Sequence, residues 1–209
     1  MHNKPYHHGN LREKLINEAM RALCNHGIDS ITLRKLSKSL GVSKAAPYRH
    51  FESKAALLAA VAAEGFRKMR SSFEETTNER NPQTALRVIM EHYIAFATGN
   101  PELYRLMFSR EVIKLPVSEE LLEAATGAYI GIKEILSSMN SSKKTAVNVN
   151  TAWALVHGIS LLINNNLLVI DEQGNAVHAL SVDGENPADL QISEQISSAI
   201  DVFIKGLST

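Results

Sequence analysis

A short basic segment near the N-terminus carries side chains that suit contact with DNA. Lys44 can donate hydrogen bonds to guanine acceptors, and Ala45 and Ala46 can pack against thymine methyl groups. Donors for phosphate groups follow shortly afterwards in the chain: Tyr48, Arg49, His50 and Lys54. Arg34 stands earlier, where it can reach a base or a phosphate. The spacing of these residues favours readout of bases flanked by phosphate contacts, which fix the register without reading sequence.

Helices and one tight turn must position these side chains. The sequence predicts a first helix over residues 10–27, with an apolar stripe at helical spacing, and a second over residues 32–40. Gly41 then supplies a tight turn, and Ser43 caps a short third helix over residues 44–50. Two short helices around a glycine turn, braced by a longer helix, form a helix-turn-helix, in which the second short helix lies in the major groove.

The charge distribution agrees with a polyanion-binding domain over residues 1–54, called the head below. The formal net charge is zero, but residues 1–54 hold ten Lys and Arg against four Asp and Glu, whereas the rest of the chain holds twelve against eighteen. A basic head on an acidic body is typical of a nucleic-acid-binding domain joined to a separate module. On charge alone, a generic solvated surface is an equally good interpretation. The spacing of the residues must therefore decide between nucleic-acid binding and such a surface.

The basic segment resembles the signature of the tetracycline-repressor (TetR) family. The shared pieces follow one another at fixed spacing: Ile31-Thr32-Leu33-Arg34-Lys35-Leu36, Gly41-Val42-Ser43 and Tyr48-Arg49-His50-Phe51-Glu52-Ser53-Lys54. The resemblance implies that the matching positions face DNA: Arg34, Lys44, Ala45, Ala46, Tyr48, Arg49, His50 and Lys54. The predicted helix caps Thr32 and Ser43 complete the candidate site. The free N–H groups of the helix starts at Thr32 and Ser53 are expected to add affinity for anions.

Pro47 departs from the family pattern, in which most members have Leu or Ile at this position. Counted from Ser43 as the N-cap, it is the fourth helical residue, where it lacks an N–H donor and crowds the carbonyl of Ser43. The local geometry of residues 44–46 depends on how this proline is accommodated.

Beyond the head, the pattern stays helical. The candidate helices span residues 53–76, 82–98, 101–109, 118–139, 143–168 and 190–206. Between the last two, two turn clusters flank the apolar stretch 176–182, which indicates an irregular excursion over residues 169–189 with room for a small β-hairpin. The sequence thus predicts an all-α protein: a helix-turn-helix domain over residues 1–54, joined to a helical effector-binding and dimerisation domain over residues 55–209.

A second similarity to the TetR family lies in the body, where Trp153 and His157 form part of a Trp-x-x-x-His-Gly pattern. Four residues apart on a helix, they share one face. That face is open to three interpretations: an effector cavity, a subunit interface or a packed core pair.

The family resemblance also implies a homodimer and a small-molecule effector. The last two helices, residues 143–168 and 190–206, are expected to pair with their counterparts, so that two heads meet a palindromic operator in double-stranded DNA. Candidates to line an effector pocket are apolar or amphipathic, which favours a small hydrophobic ligand. They are Met90, Tyr93, Ile94, Phe96, Leu103, Met107, Phe108, Tyr129, Ile132, Trp153 and His157. Stripes of this kind are also typical of a plain core.

Other classes of function find less support in the sequence. No P-loop, dinucleotide fingerprint, nucleophile elbow or zinc spacing is present, so neither an enzyme nor a cofactor or metal site is expected. No apolar run suggests a membrane span or a secretory signal, and the single cysteine, Cys24, suits a reducing cytoplasm. The favoured function is a dimeric repressor released from its operator by a small hydrophobic effector. The main alternative is a DNA-binding protein without ligand control.

Overall fold

The computed structural model describes residues 11–74, 81–113, 117–139, 145–170, 176–178 and 192–207. Eight α-helices lie in these ranges: α1 (Leu11–His26), α2 (Leu33–Ser39), α3 (Lys54–Glu74), α4 (Pro82–Gly99), α5 (Pro101–Met107), α6 (Glu119–Met139), α7 (Thr145–Asn164) and α8 (Ile192–Gly206). Two 3-10 helices, Ile28–Ser30 and Pro47–Arg49, lie between them. The predicted helical fold class is confirmed.

A small β-hairpin interrupts the helices between α7 and α8. Strand β1 (Leu168–Ile170) pairs antiparallel with β2 (Ala176–His178), and Val169 lies opposite Val177. This agrees with a hairpin in the predicted excursion. Residues 171–175 and 179–189 of that excursion lie outside the described part of the chain.

Helix α7 ends at Asn164, four residues before the predicted end. Asn166 adopts a left-handed conformation with φ of 55°. The amide of Leu167 donates to the carbonyl of Leu162 at 2.9 Å, and that of Asn166 donates to Ile163 at 2.9 Å. These bonds form a Schellman motif, which satisfies the last carbonyls of the helix and directs the chain into β1.

Contacts between residues divide the described chain into two compact units. The first draws its residues from Met1–Arg67 and Glu102–Ala125, and the second from Lys68–Pro101 and Thr126–Thr209. The boundary expected between residues 54 and 55 stays a prediction. In the first unit, α1, α2 and the start of α3 enclose an apolar core, whose buried members include Leu15, Ala19, Leu23, Ile31, Leu57 and Val61.

The core of the second unit is built around α4. Asn81 caps this helix, as its Oδ1 accepts from the amides of Gln83 at 2.9 Å and Thr84 at 3.3 Å. The buried face of α4 packs against α7 and α8. The buried apolar residues of α7 and α8 include Val149, Ala152, Val156, Ile200 and Ile204. At the surface, an ion pair between Arg87 and Asp201 joins α4 to α8. Across the ranges the structure describes, no helix combines the length and apolarity needed to cross a bilayer.

Candidate nucleic-acid interface

Helix α2 begins at the cap that the sequence predicted. The Thr32 hydroxyl accepts a hydrogen bond from the amide of Lys35 at 3.1 Å, which satisfies one of the free N–H groups at the helix start. Leu33 and Leu36 face the core, whereas Arg34 is exposed on the opposite side. The helix therefore anchors itself with its leucines and presents Arg34 to solvent.

The turn after α2 depends on Gly41, whose φ is +65°. Its amide donates to the carbonyl of Lys38 at 3.2 Å, and the amide of Val42 donates to Ser37 at 3.0 Å. A Cβ at Gly41 would meet nothing within 4 Å. Glycine is therefore favoured by the left-handed backbone and not by lack of space.

The recognition segment, defined as residues 44–50, is not the α-helix that the sequence predicted. Residues 44–46 form a turn, and Pro47–Arg49 form a 3-10 helix. The carbonyl of Ser43 accepts from the amide of Ala46 at 3.1 Å, because Pro47 has no N–H with which to make the next α-helical bond. The prediction of an α-helix over residues 44–50 is wrong for this reason.

The structure brings several predicted DNA-facing residues together on one surface. Ser43, Ala46, Arg49 and His50 line a concave site of about 290 Å³, together with Leu11, Gly41 and Val42. Other members of the set are exposed: Arg34, Lys44, Ala45 and Tyr48. Thr32 is half-buried as the cap of α2. The proline thus alters the backbone but leaves the side chains of the segment open to a ligand.

Phe51 anchors the end of the recognition segment in the core. Its side chain is only 3% exposed. The guanidinium carbon of Arg12 lies 5.3 Å from the centre of the ring, as in a cation–π contact. Arg12 also forms an ion pair with Glu120, which in turn accepts from Arg67 at 3.2 Å. Sequence reasoning missed Glu120, because 108 residues separate it from Arg12 and no motif marks it.

Lys54 differs from the other predicted DNA-facing cations. Its Nζ donates to the backbone carbonyl of Ile28 at 2.9 Å, and the residue is half-buried. Next to it, the Ser53 hydroxyl accepts from the amide of Ala56 at 3.1 Å and caps α3. The expected phosphate contact of Lys54 stays a prediction.

The eleven effector-pocket candidates are distributed over both compact units. Leu103, Met107 and Phe108 belong to the first, where the Phe108 ring lies 5.5 Å from that of Phe66 and 5.0 Å from that of Tyr104. The other eight belong to the second. Met90, Tyr93, Ile94 and Ile132 are buried there, Phe96 and His157 are half-buried, and Tyr129 and Trp153 are exposed. Their role in an effector pocket stays a prediction.

Trp153 and His157 share one face of α7, as expected. Their rings lie 5.1 Å apart, and the Tyr93 hydroxyl is 3.2 Å from Nδ1 of His157. Trp153 is nevertheless 42% exposed. The imidazole is thus half-buried beside Tyr93 and Trp153, whereas the indole is partly exposed to solvent.

Burial lowers the pKa of His157 below its ordinary value. The unfolded chain then binds a proton that the folded chain does not, so stability falls as the pH drops below about 6.5. We expect His157→Gln to reduce the difference in Tm between about pH 7.5 and 5.5, measured by thermal unfolding. His50→Gln, which replaces an exposed histidine, serves as the control. An unchanged pH dependence in His157→Gln would contradict the assignment.

No metal-binding cluster stands out in the described ranges. Among their His, Cys, Asp and Glu side chains, no three are close enough together to hold an ion. Cys24 is exposed and carries a free thiol.

The fold and the surface around residues 32–54 define a helix-turn-helix DNA-binding protein. Residues 15–61 match the model of the bacterial regulatory proteins of the tetR family, and residues 86–183 match that of a tetracyclin repressor-like C-terminal domain. The chain belongs to the TetR family of transcriptional regulators.

Individual relatives agree with this assignment. An uncharacterized HTH-type transcriptional regulator of Bacillus subtilis, YobS, is 24% identical over 94% of this chain and 93% of its own length. The nucleoid occlusion factor SlmA of Vibrio cholerae is 35% identical over 103 residues, which are 47% of this chain and 51% of that protein. A solved structure of a protein with unknown function from Rhodococcus sp. RHA1 has a TM-score of 0.77 and 26% identity, covering 99% of this chain and all of that one.

Proposed function

We propose that this regulator is a cytoplasmic, dimeric repressor that binds a palindromic operator and is released by a small hydrophobic effector. The observation that carries the DNA-binding part is the concave site next to the turn at Gly41. Ser43, Arg49 and His50 contribute polar or basic groups to it, and Ala46, Arg49 and His50 of the recognition segment form part of its lining. A surface of this shape and charge suits a DNA backbone.

The roles of the side chains follow from their exposure and chemistry. Lys44, Ala45 and Ala46 precede the 3-10 helix and are proposed to meet base edges in the major groove. Tyr48, Arg49 and His50 are exposed on the following turn and suit phosphates, as does Arg34 on α2. Thr32, the cap of α2, and Ser43, before the turn, are proposed to lie near the same DNA backbone.

The operator sequence can be identified by selecting bound duplexes from a library of random DNA sequences. A helix-turn-helix dimer should enrich two inverted half-sites about one helical turn apart. Enrichment of a single half-site, or of no sequence at all, would contradict a dimer that reads a palindrome.

Lys44→Ala is expected to relax base preference. The lysine is the one base-reading candidate with a hydrogen-bond donor in its side chain, so its removal should cost about 1–3 kcal/mol on the selected operator and less on a scrambled duplex. Electrophoretic shifts on both duplexes measure the difference. Equal losses on the two would assign Lys44 to the phosphates instead.

Support for a dimer comes from the apolar side chains that α7 and α8 leave exposed. They are Val147, Trp153, Leu161 and Leu162 on α7 and Val202 on α8. Val202 is 72% exposed, the largest exposed fraction among these side chains. The proposed partner is a second copy of the chain, through residues 143–168 and 190–206, and two linked heads multiply the affinity for two half-sites.

Support for a hydrophobic effector comes from the apolar character of the candidate residues, with Tyr93 and His157 as the polar groups that could orient a ligand. A thermal-shift screen of small hydrophobic compounds, followed by operator-binding assays, tests this part. If compounds that stabilise the protein never weaken operator binding, effector control is excluded for those ligands.

A second candidate function is DNA binding without ligand control. One relative, SlmA, is named a nucleoid occlusion factor and not a transcriptional regulator, and the match covers about half of that protein. Genome-wide mapping of binding sites separates the two. A repressor should occupy few sites at promoters, whereas a protein of the second kind should occupy many sites without regard to promoters.

A further inference from the structure

Glu120, near the start of α6, forms ion pairs with arginines of two other helices. Its Oε2 atom accepts from Arg12 on α1, and its Oε1 atom accepts from Arg67 on α3 at 3.2 Å. All three residues belong to the first compact unit. One carboxylate therefore joins the start of α1 to α3 and α6, across separations of 108 and 53 residues along the chain.

The residues around Glu120 fix its position. Ser118 caps α6, since its hydroxyl accepts from the amide of Leu121 at 3.3 Å. Leu121 follows Glu120 directly and is buried. On α3, Arg67 also donates to Glu64 at 2.8 Å, so that its guanidinium lies between two carboxylates. A capped helix start and α3 thus hold the carboxylate with which Arg12 pairs.

Arg12 connects this ion pair to the DNA-binding surface. Its guanidinium carbon lies 5.3 Å from the centre of the buried Phe51 ring. The amide of Phe51 donates to the carbonyl of Pro47, in the recognition segment, at 3.0 Å. Leu11, the residue before Arg12, lines the concave site next to the turn at Gly41. The first turn of α1 therefore contacts the ring that anchors the recognition segment and also forms part of the surface proposed to meet DNA.

Glu120 has two opposing effects on the affinity for DNA. As a negative charge in the unit that carries the helix-turn-helix, it should repel phosphates and lower the affinity. As the partner of Arg12, it should hold that side chain over Phe51 and raise the affinity. Two guanidinium groups neutralise the carboxylate, which weakens its repulsion at a distance. We therefore expect the second effect to be the larger one.

We propose that Glu120 is a positioning residue for DNA binding, which acts through Arg12 by holding the first turn of α1 against Phe51. This inference rests on the proposed function, since it assigns a role within the same DNA-binding surface. A guanidinium has more N–H donors than Glu120 accepts, so Arg12 can contact a phosphate at the same time. Removal of the Glu120 charge should weaken operator binding, whereas removal of an ordinary negative charge nearby should not.

The test measures the affinity for the operator duplex selected as described above, by fluorescence anisotropy, at a temperature where thermal unfolding shows each variant to be folded. Glu120→Gln should lower the affinity about three- to fivefold, which corresponds to a strong example of a partly exposed ion pair. Glu119→Gln is the matched control, because it removes the same charge from the adjacent, exposed position of α6. It should not lower the affinity.

A double-variant cycle shows whether Glu120 acts through Arg12. Arg12→Gln alone should lower the affinity, and Glu120→Gln added to it should cause no further loss, because the partner is already absent. A Glu120→Gln protein that binds the operator as tightly as the unmodified protein, or more tightly, would overturn the proposal. A loss of the same factor with and without Arg12 would overturn it as well.

Hydrogen exchange of the free protein provides a second readout. The amides of His50 and Phe51, which both donate to the carbonyl of Pro47, should exchange faster in Glu120→Gln than in Glu119→Gln. Equal exchange in the two variants would contradict the positioning role. Failure of the unmodified protein to select any operator would instead refute the proposed function.

Discussion

Replacing Leu161 and Val202 together by lysine is expected to convert the protein into a monomer. The two side chains are exposed on α7 and α8, where a second copy is proposed to cover them. Two ammonium groups at that position would have to be buried without a partner, at a cost of several kcal/mol each, which an apolar interface cannot offset. Sedimentation equilibrium measures the change in mass directly.

Loss of the dimer should have a large effect on DNA binding. With both heads linked, the second contact is intramolecular, so the variant should bind a two-half-site operator roughly 10²- to 10⁴-fold more weakly. Its affinity for a duplex with one half-site should be unchanged, because the heads themselves are intact.

Leu122→Lys is the matched control for this experiment. Leu122 is 58% exposed on α6, outside the two proposed interface helices. The control should stay dimeric. Leu161→Lys/Val202→Lys protein that also stays dimeric would show that a different surface of the chain forms the contact.

Phe51→Ala is expected to destabilise the helix-turn-helix and abolish operator binding. The ring is 3% exposed, and removal of such a side chain costs about 3–5 kcal/mol in the free energy of unfolding. That is a large fraction of the stability of a typical domain. The amides of His50 and Phe51 both donate to the carbonyl of Pro47 at 3.0 Å, so a disturbed Phe51 also disturbs the recognition segment. Urea unfolding measures the free energy of unfolding, and titration with operator DNA measures the binding affinity.

Tyr48→Ala tests whether Tyr48, three residues before Phe51, also contributes to the stability of the domain. Tyr48 is 57% exposed, so its removal should change the free energy of unfolding by no more than about 0.5 kcal/mol. Operator affinity should fall nevertheless, because a proposed phosphate donor is lost. If both variants lose stability equally, Tyr48 is part of the core; if Phe51→Ala unfolds like the unmodified protein, Phe51 is not the anchor.

Much of the fold could be predicted from residue types over short spans. The sequence predicts Thr32 as a helix cap, and its hydroxyl accepts from the amide of Lys35 in the following turn. Gly41 was expected to supply the turn and has the positive φ that the turn requires. These features depend on hydrogen bonds between residues a few positions apart, which the local sequence specifies almost alone.

The recognition segment is the part of the helix-turn-helix whose structure the local sequence does not predict correctly. Pro47 was identified as a departure, but the segment over residues 44–50 was still predicted as an α-helix. The missing N–H leaves the carbonyl of Ser43 to the amide of Ala46, and a turn with a 3-10 helix results. The sequence contains Pro47, which causes the loss of the α-helix. How many residues lose α-helical structure depends on the tertiary structure, in which buried Phe51 holds the end of the segment.

The sequence by itself determines that the basic segment near the N-terminus is a helix-turn-helix that carries hydrogen-bond donors. Only the tertiary structure decides which distant partner meets each of three polar side chains: Ile28 at the ammonium of Lys54, Glu120 at Arg12, and Tyr93 at His157. Each of these pairs joins residues 26 to 108 positions apart. No periodicity or cap connects such residues, since their approach is set by how the helices pack their buried faces together.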